Sequence, residues 1–134
     1  MNRSGFSLIE LLLVLAVVGI LATLGFTSLL SAQQRARLQE AQTLITSELE
    51  RARSSAQRLN TSQTVAWTAE GINGKRFGNG ITLTSPPDSF VYTAPYGETT
   101  LEDGLELELE DGRGRVAKVA VIGVTGKVYR RSIE

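Results

Sequence analysis

The chain has 134 residues, and its 14 lysines and arginines balance 14 aspartates and glutamates, giving zero formal net charge at neutral pH. Such a balance offers no global field for nucleic acid or an anionic membrane surface, so any such site has to come from local clustering. Cysteine and histidine are both absent, which excludes disulfides, thiolate chemistry and the commonest general base and metal ligand.

The chain opens with Met1-Asn2-Arg3-Ser4-Gly5, a short polar segment with a single cation, Arg3. Residues 6–30 then form an apolar run, slightly longer than the ~20 residues that cross a bilayer. Glu10 sits inside that run, where an ionised carboxylate costs about 2.5–3.5 kcal/mol on insertion scales. A cost of that size asks for a cationic partner. A secretory signal peptide has a shorter apolar core of roughly 7–15 residues and ends in a small-residue cleavage site. Here a helical pattern follows instead, so the segment is expected to be retained. Arg3 favours a cytoplasmic N-terminus with the remainder outside. A plain signal anchor, whose Glu10 snorkels to the cytoplasmic face, is the alternative.

Gly5-Phe6-Ser7-Leu8-Ile9-Glu10-Leu11, followed by Val14-Leu15-Ala16-Val17-Val18-Gly19-Ile20-Leu21-Ala22, resembles the N-terminal signature of bacterial type IV pilins and type II secretion pseudopilins. The likeness covers about the first 25 residues and combines a Gly-Phe junction, a glutamate four residues later and an apolar run of the right length. It implies a leader, residues 1–5, removed by prepilin peptidase between Gly5 and Phe6, with N-methylation of the new Phe6 amine. It also implies that Glu10 pairs with the Phe6 amine of a neighbouring subunit, which is the partner that a carboxylate in low dielectric needs. Many pilins carry a proline near the position of Thr27, where their helix can melt on assembly; this chain departs from that pattern.

From Ser31 to Leu59 there is neither proline nor glycine. Leu38, Ala41, Ile45, Leu49, Ala52, Ala56 and Leu59 recur at three-and-four spacing and draw one stripe along a helix. Glu48 with Arg51 and Glu50 with Arg53 form i,i+3 pairs on the expected polar side. One helix over residues 6–59 would run roughly 80 Å: membrane-spanning over 6–30, amphipathic over 31–59.

From residue 60 onward the period changes to two. Residues 64–68 read as a strand with Val65 and Trp67 on one face. Residues 71–80, rich in Gly and Asn, read as a loop or tight turns. Residues 81–84 and 90–93 are short strand candidates, and 94–104 is irregular. Leu105-Glu106-Leu107-Glu108-Leu109-Glu110 alternates strictly, leucines inward and glutamates outward. If residues 111–115 form the turn, Glu110 faces Val116, Glu108 faces Lys118, Leu107 faces Val119 and Leu105 faces Val121. A second turn at Thr125-Gly126 returns the chain as a short basic strand, 127–131. The fold class is therefore α+β: a long N-terminal helix packed on a small antiparallel sheet head, residues 60–134, as in pilins. The Val-rich strand, Thr-Gly turn and basic strand are similar to minor pilins and minor pseudopilins of the FimT/FimU and GspH type.

No nucleophile with a base is evident, and the strand glutamates read as a solvated or salt-bridged face, so no enzyme activity is expected. Asp88, Glu98, Glu102 and Asp103 match no compact metal-ligand spacing, and neither a metal nor a cofactor is expected. Trp67 and Tyr92 read as core or sheet aromatics. Arg113, Arg115, Lys118, Lys127, Arg130 and Arg131 crowd the last part of the chain. FimT-type minor pilins are implicated in DNA uptake, so Arg113, Arg115, Arg130 and Arg131 are candidate phosphate contacts; neutralisation of the neighbouring acidic strand is the competing role. The resemblance implies a structural subunit of a type IV pilus or a type II secretion pseudopilus, as a minor or initiating component. Its partners would be prepilin peptidase, other pilin or pseudopilin subunits and an inner-membrane assembly platform. Before assembly it would be a single-pass inner-membrane protein with a periplasmic head. A filament-tip subunit binding DNA or a surface is the alternative.

Overall fold

A computed structural model of the chain describes residues 7–86 and 88–131. Arg3, Gly5 and Phe6, and with them the expected cleavage junction, lie outside the described residues, as do Pro87 and residues 132–134. The chain divides between Arg35 and Ala36 into two compact units. Among the described residues there is one helix, α1, which spans Leu8–Leu59 and contributes to both.

In the first unit the Ser7 carbonyl accepts from the Glu10 and Leu11 amides at 3.0 and 3.2 Å, opening the helix. Thr23 donates its hydroxyl to the Ile20 carbonyl at 2.7 Å, so that polar atom is satisfied without water.

In the second unit, residues 38–56 of α1 supply one wall of the core. Leu38, Ala41, Ile45, Leu49, Ala52 and Ala56 are all buried, as their spacing predicts. Leu59, predicted on the same stripe, is instead 67 % exposed. The helix stops there, and Asn60 follows at φ 49°, the left-handed conformation that ends helices.

Among the described residues, nine strands pack on the 38–56 stretch of the helix in two antiparallel sheets. The first takes β1 (Gln63–Thr68), β2 (Gly71–Ile72), β3 (Lys75–Arg76), β5 (Asp88–Thr93) and β6 (Glu98–Thr99) in the order β3-β2-β1-β5-β6. The second takes β4 (Ile81–Leu83), β7 (Leu105–Asp111), β8 (Val116–Ile122) and β9 (Lys127–Arg130) in the order β4-β7-β8-β9. Inward residues of both sheets join the helix stripe in one core, including Val65, Trp67, Phe90 and Tyr92 from the first sheet and Leu107, Leu109, Val119 and Val121 from the second. The register of β7 and β8 sets Leu105 opposite Val121, Leu107 opposite Val119, Glu108 opposite Lys118 and Glu110 opposite Val116. Those are the pairs that the five-residue turn and the alternation together predict.

Besides Leu59, three details differ from the sequence expectation. Residues 71–80 hold a small hairpin, β2 with β3, because Asn73 and Gly74 both take positive φ, 50° and 77°. That is the mirror-image turn whose twist suits a two-residue hairpin. The stretch 94–104 contains β6, paired with β5. Glu48, predicted on the polar side of α1, is 6 % exposed. Its carboxylate accepts from Lys75 Nζ at 2.5 Å and from Asn73 Nδ2 at 3.5 Å, with Arg51 at 3.8 Å. The β2–β3 hairpin thus closes over a helix acid and supplies the donors that its burial requires.

Side chains fasten the helix to both sheets. Gln42, buried, donates Nε2 to the Lys118 and Arg131 carbonyls at 2.9 and 2.8 Å. Arg53 and Gln57 donate to the Gly97 and Tyr96 carbonyls at 3.3 and 2.8 Å. Tyr92, fully buried, donates to the Gly126 carbonyl at 3.2 Å. Gly126 takes φ 61°, and a Cβ there would stand 2.7 Å from the Tyr92 ring, so no other residue fits without displacing the core.

The hydrogen bond from Lys75 holds the Glu48 carboxyl below its ordinary value, against the opposing effect of burial. A depressed folded-state value means that the unfolded chain binds more protons, so stability rises with pH through that window. Glu48 is therefore expected to stabilise the head fully above the ordinary carboxylate range and to lose that contribution as pH falls through its lowered value. Melting the full chain in detergent micelles across acidic pH checks this: Glu48→Gln should flatten the acid side of the curve. Lys75→Met, which leaves the acid short of a donor, should cost about 1–2 kcal/mol at neutral pH.

Candidate functional site

Two surfaces are left to act. In the N-terminal unit, the large apolar side chains of α1 are exposed: Leu8, Ile9, Leu13, Ile20, Phe26 and Leu29 each show more than 60 % of their surface. Among the described residues this is the one helix long and apolar enough to cross a membrane, and none of its most apolar stretch is buried within the chain. A helix apolar on all sides needs lipid or other helices around it. Glu10 lies in its first turn with an exposed side chain, where the positive end of the helix dipole favours a carboxylate. Glu10 is thus at the start of the apolar surface, as the sequence predicts. Its expected partner, the Phe6 amine, and the Gly5–Phe6 junction lie outside the described residues.

The head carries the second surface, a charged face on β7 and β8. Lys118 bridges the Glu108 carboxylate directly across the strand pair and reaches Glu106 at 3.6 Å. Arg131 reaches the same Glu106 oxygen at 3.6 Å. The Glu108 carboxylate holds the Lys118 ammonium above the ordinary lysine range, with Glu106 adding to the effect. Asp111 is 4 % exposed and stitches the β7–β8 turn. Its Oδ1 accepts from the Arg113 and Arg115 amides at 2.9 and 3.0 Å, and its Oδ2 lies 3.5 Å from Arg115 Nε.

The four arginines singled out as candidate phosphate contacts therefore have different situations. Arg115 and Arg131 are ion-paired within the chain. Arg130 donates to the Thr43 hydroxyl at 3.4 Å. The Arg113 side chain is exposed in the turn. Lys75 is engaged by Glu48 and Arg76 by Glu70. Among the described residues no three carboxylates converge as a metal-binding group. Trp67 and Tyr92 are core aromatics, each in ring contact with Phe90, and the Trp67 indole donates to the Pro86 carbonyl at 2.8 Å.

Glu48, which ties α1 to the β2–β3 hairpin, and Gln42, which ties it to the Lys118 and Arg131 carbonyls, are not marked by local sequence. Both flank the apolar stripe, and only the strands opposite them give their polar ends a partner. An acid beside a stripe rather than opposite it is the available signal.

The prokaryotic N-terminal methylation motif is the family description that matches this chain, over residues 1–26. No curated protein matches the chain, and no solved structure matches it. The motif supports a type IV pilin-like protein. It implies processing by prepilin peptidase and assembly with other pilins. Together with the apolar helix it fits a membrane-anchored chain.

Reversing the sign at Glu108 tests whether the charged face serves the fold. Glu108→Lys sets a cation directly opposite Lys118, where like charges destabilise. The melting midpoint should fall by the equivalent of about 1 kcal/mol at low salt and recover most of that loss at high salt. An unchanged midpoint at low salt would count against the pairing.

Proposed function

We propose that the chain is a prepilin-like structural subunit, assembled as a minor or initiating component of a type IV pilus or a type II secretion pseudopilus. The observation that carries this reading is the coincidence of the methylation motif over residues 1–26 with a helix whose apolar side chains find no cover in their own chain. Prepilin peptidase cuts between Gly5 and Phe6, and the Phe6 amine is then N-methylated. Residues 6–30 hold the subunit in the inner membrane, N-terminus cytoplasmic and head periplasmic, until the assembly platform passes it into the filament. There the same apolar surface packs against neighbouring helices. Glu10 sets axial register by pairing with the Phe6 amine of an adjacent subunit: removed from water, that carboxylate is tolerated only in the arrangement that brings a cation to it.

DNA contact by the head is the second reading. It draws its support from Arg113 and Arg130, which have no carboxylate partner among the described residues, while the ion pairs of Arg115 and Arg131 weigh against it. If Arg113→Glu with Arg130→Glu leaves salt-dependent DNA retention by the full chain unchanged, this role has no basis.

Mass spectrometry of the membrane-bound chain tests the assembly reading. The mature protein should begin at Phe6 and carry a methyl group on its amine; Gly5 replaced by a bulky residue should leave uncut precursor. Glu10→Ala should still lose its leader but should fail to enter filaments or to be methylated. Normal incorporation of Glu10→Ala would refute the register role.

A further inference from the structure

Among the described residues the sheets present four strand edges, and two are engaged. The Leu83 amide of β4 donates to the Ala69 carbonyl at 2.8 Å, and the Thr99 amide of β6 donates to the Val124 carbonyl at 3.0 Å. The β3 edge is only two residues long. The edge of β9 is different. Its register pairs Ala120 with Tyr129 and Ile122 with Lys127, and the Arg131 amide donates to the Lys118 carbonyl at 3.0 Å. In an antiparallel pair, directly opposed residues alternate between bonded and non-bonded. The Arg131–Lys118 bond sets that phase, so Tyr129 and Lys127 bond to β8, while the peptide groups of Val128 and Arg130 point away from it.

Beside that edge lies a groove of about 380 Å³, lined by Arg53, Ser54 and Gln57 of α1 and by Val128 and Tyr129 of β9. An unpaired strand edge beside a groove is the geometry of strand addition, in which main-chain hydrogen bonds supply affinity and the groove takes a side chain. We propose that β9 accepts an extended acidic segment of a partner polypeptide as an additional strand of its sheet.

Charge selects the occupant. Lys127, Arg130 and Arg53 surround the edge, against one acid, Glu50. A second copy of this chain is disfavoured, because outward peptide groups must meet outward peptide groups. Antiparallel self-pairing with Val128 opposite Arg130 sets Lys127 against Arg131 twice, and like charges directly opposite destabilise; with Val128 opposite itself, only three β9 residues of each copy overlap. Cations on an edge strand guard against such self-association. A strand carrying carboxylates opposite Lys127 and Arg130 turns that guard into a selection rule. The groove lies wholly within the head, so the proposal holds whichever filament, if any, the chain enters.

The probe is the acetylated, amidated hexapeptide Ala-Glu-Val-Val-Glu-Ala, added to the isotope-labelled full chain in detergent micelles. Amide hydrogen exchange at Val128 and Arg130 should slow by roughly tenfold at saturation, with Tyr129 unchanged because it is already bonded. Val128→Pro removes an outward amide and no bond to β8, a position at which an edge strand tolerates proline. It should weaken peptide binding about tenfold relative to Val128→Ala, which gives up the same packing on the core but keeps the amide. The idea is overturned if no protection develops at the solubility limit of the peptide. It is equally overturned if the peptide with lysines for glutamates, or one N-methylated at both central valines, protects as well as the acidic one. Binding that Val128→Pro leaves intact, or a dimer of this chain that Val128→Pro abolishes, would also sink it.

Discussion

A helix cannot present the same surface to hydrocarbon and to a folded core, and α1 is asked to meet both. Over its first residues the apolar groups face outward on every side, and nothing in their own unit covers them. Over residues 38–56 the apolar groups collapse to one stripe, and the strands supply the cover. The head therefore has a finished core of its own, while the N-terminal surface has to be completed from outside the chain. Every functional statement that the motif over residues 1–26 supports depends on that difference.

Within the head, charge is handled in two ways. On β7 and β8, Glu106, Glu108 and Lys118 sit partly exposed and pair across the strands, joined by Arg131 from just past β9. Such pairs contribute little each, and their larger effect is to fix register, because a slip by one residue would bury the glutamates. Glu48 is a different case. A carboxylate that is nearly out of water is tolerated only while its donors are present, so the small β2–β3 hairpin is tied to the helix through Lys75 and Asn73. The hairpin has few residues and little apolar area of its own; the acid beneath it gives it a fixed seat.

Where sequence period and loop length agree, the fold is legible in the letters alone. The alternation of residues 105–110 and the five-residue turn together specify a single register for β7 and β8, and that register is observed. The stripe from Leu38 to Ala56 is legible for the same reason: a break-free helix with three-and-four spacing has one apolar face. Division of the strands into two sheets is not legible, because it depends on non-local contacts such as Leu83 with Ala69 and Thr99 with Val124. The Asn73-Gly74 turn signal is present in the sequence but stands among several glycines that resemble plain loop. The burial of Glu48 is not legible because Arg51, one turn away, offers a sufficient surface partner; only the hairpin, folded back from 25 residues or more along the chain, supplies the burial. At the site, Glu10 is legible because an acid in an apolar run is conspicuous whatever the fold. The constraint on the basic tail is less so, since Arg115 and Arg131 reveal their partners only once the strands are paired.

Tyr92 joins these threads in one hydroxyl. Burial pushes its ionisation up to about 12, and its proton is committed to the Gly126 carbonyl at the turn before β9. A raised folded-state value keeps the phenol neutral further into alkali than the same side chain in an unfolded chain. The ultraviolet signature of tyrosinate from this side chain would therefore appear at higher pH while the head is closed, an optical mark of its packing.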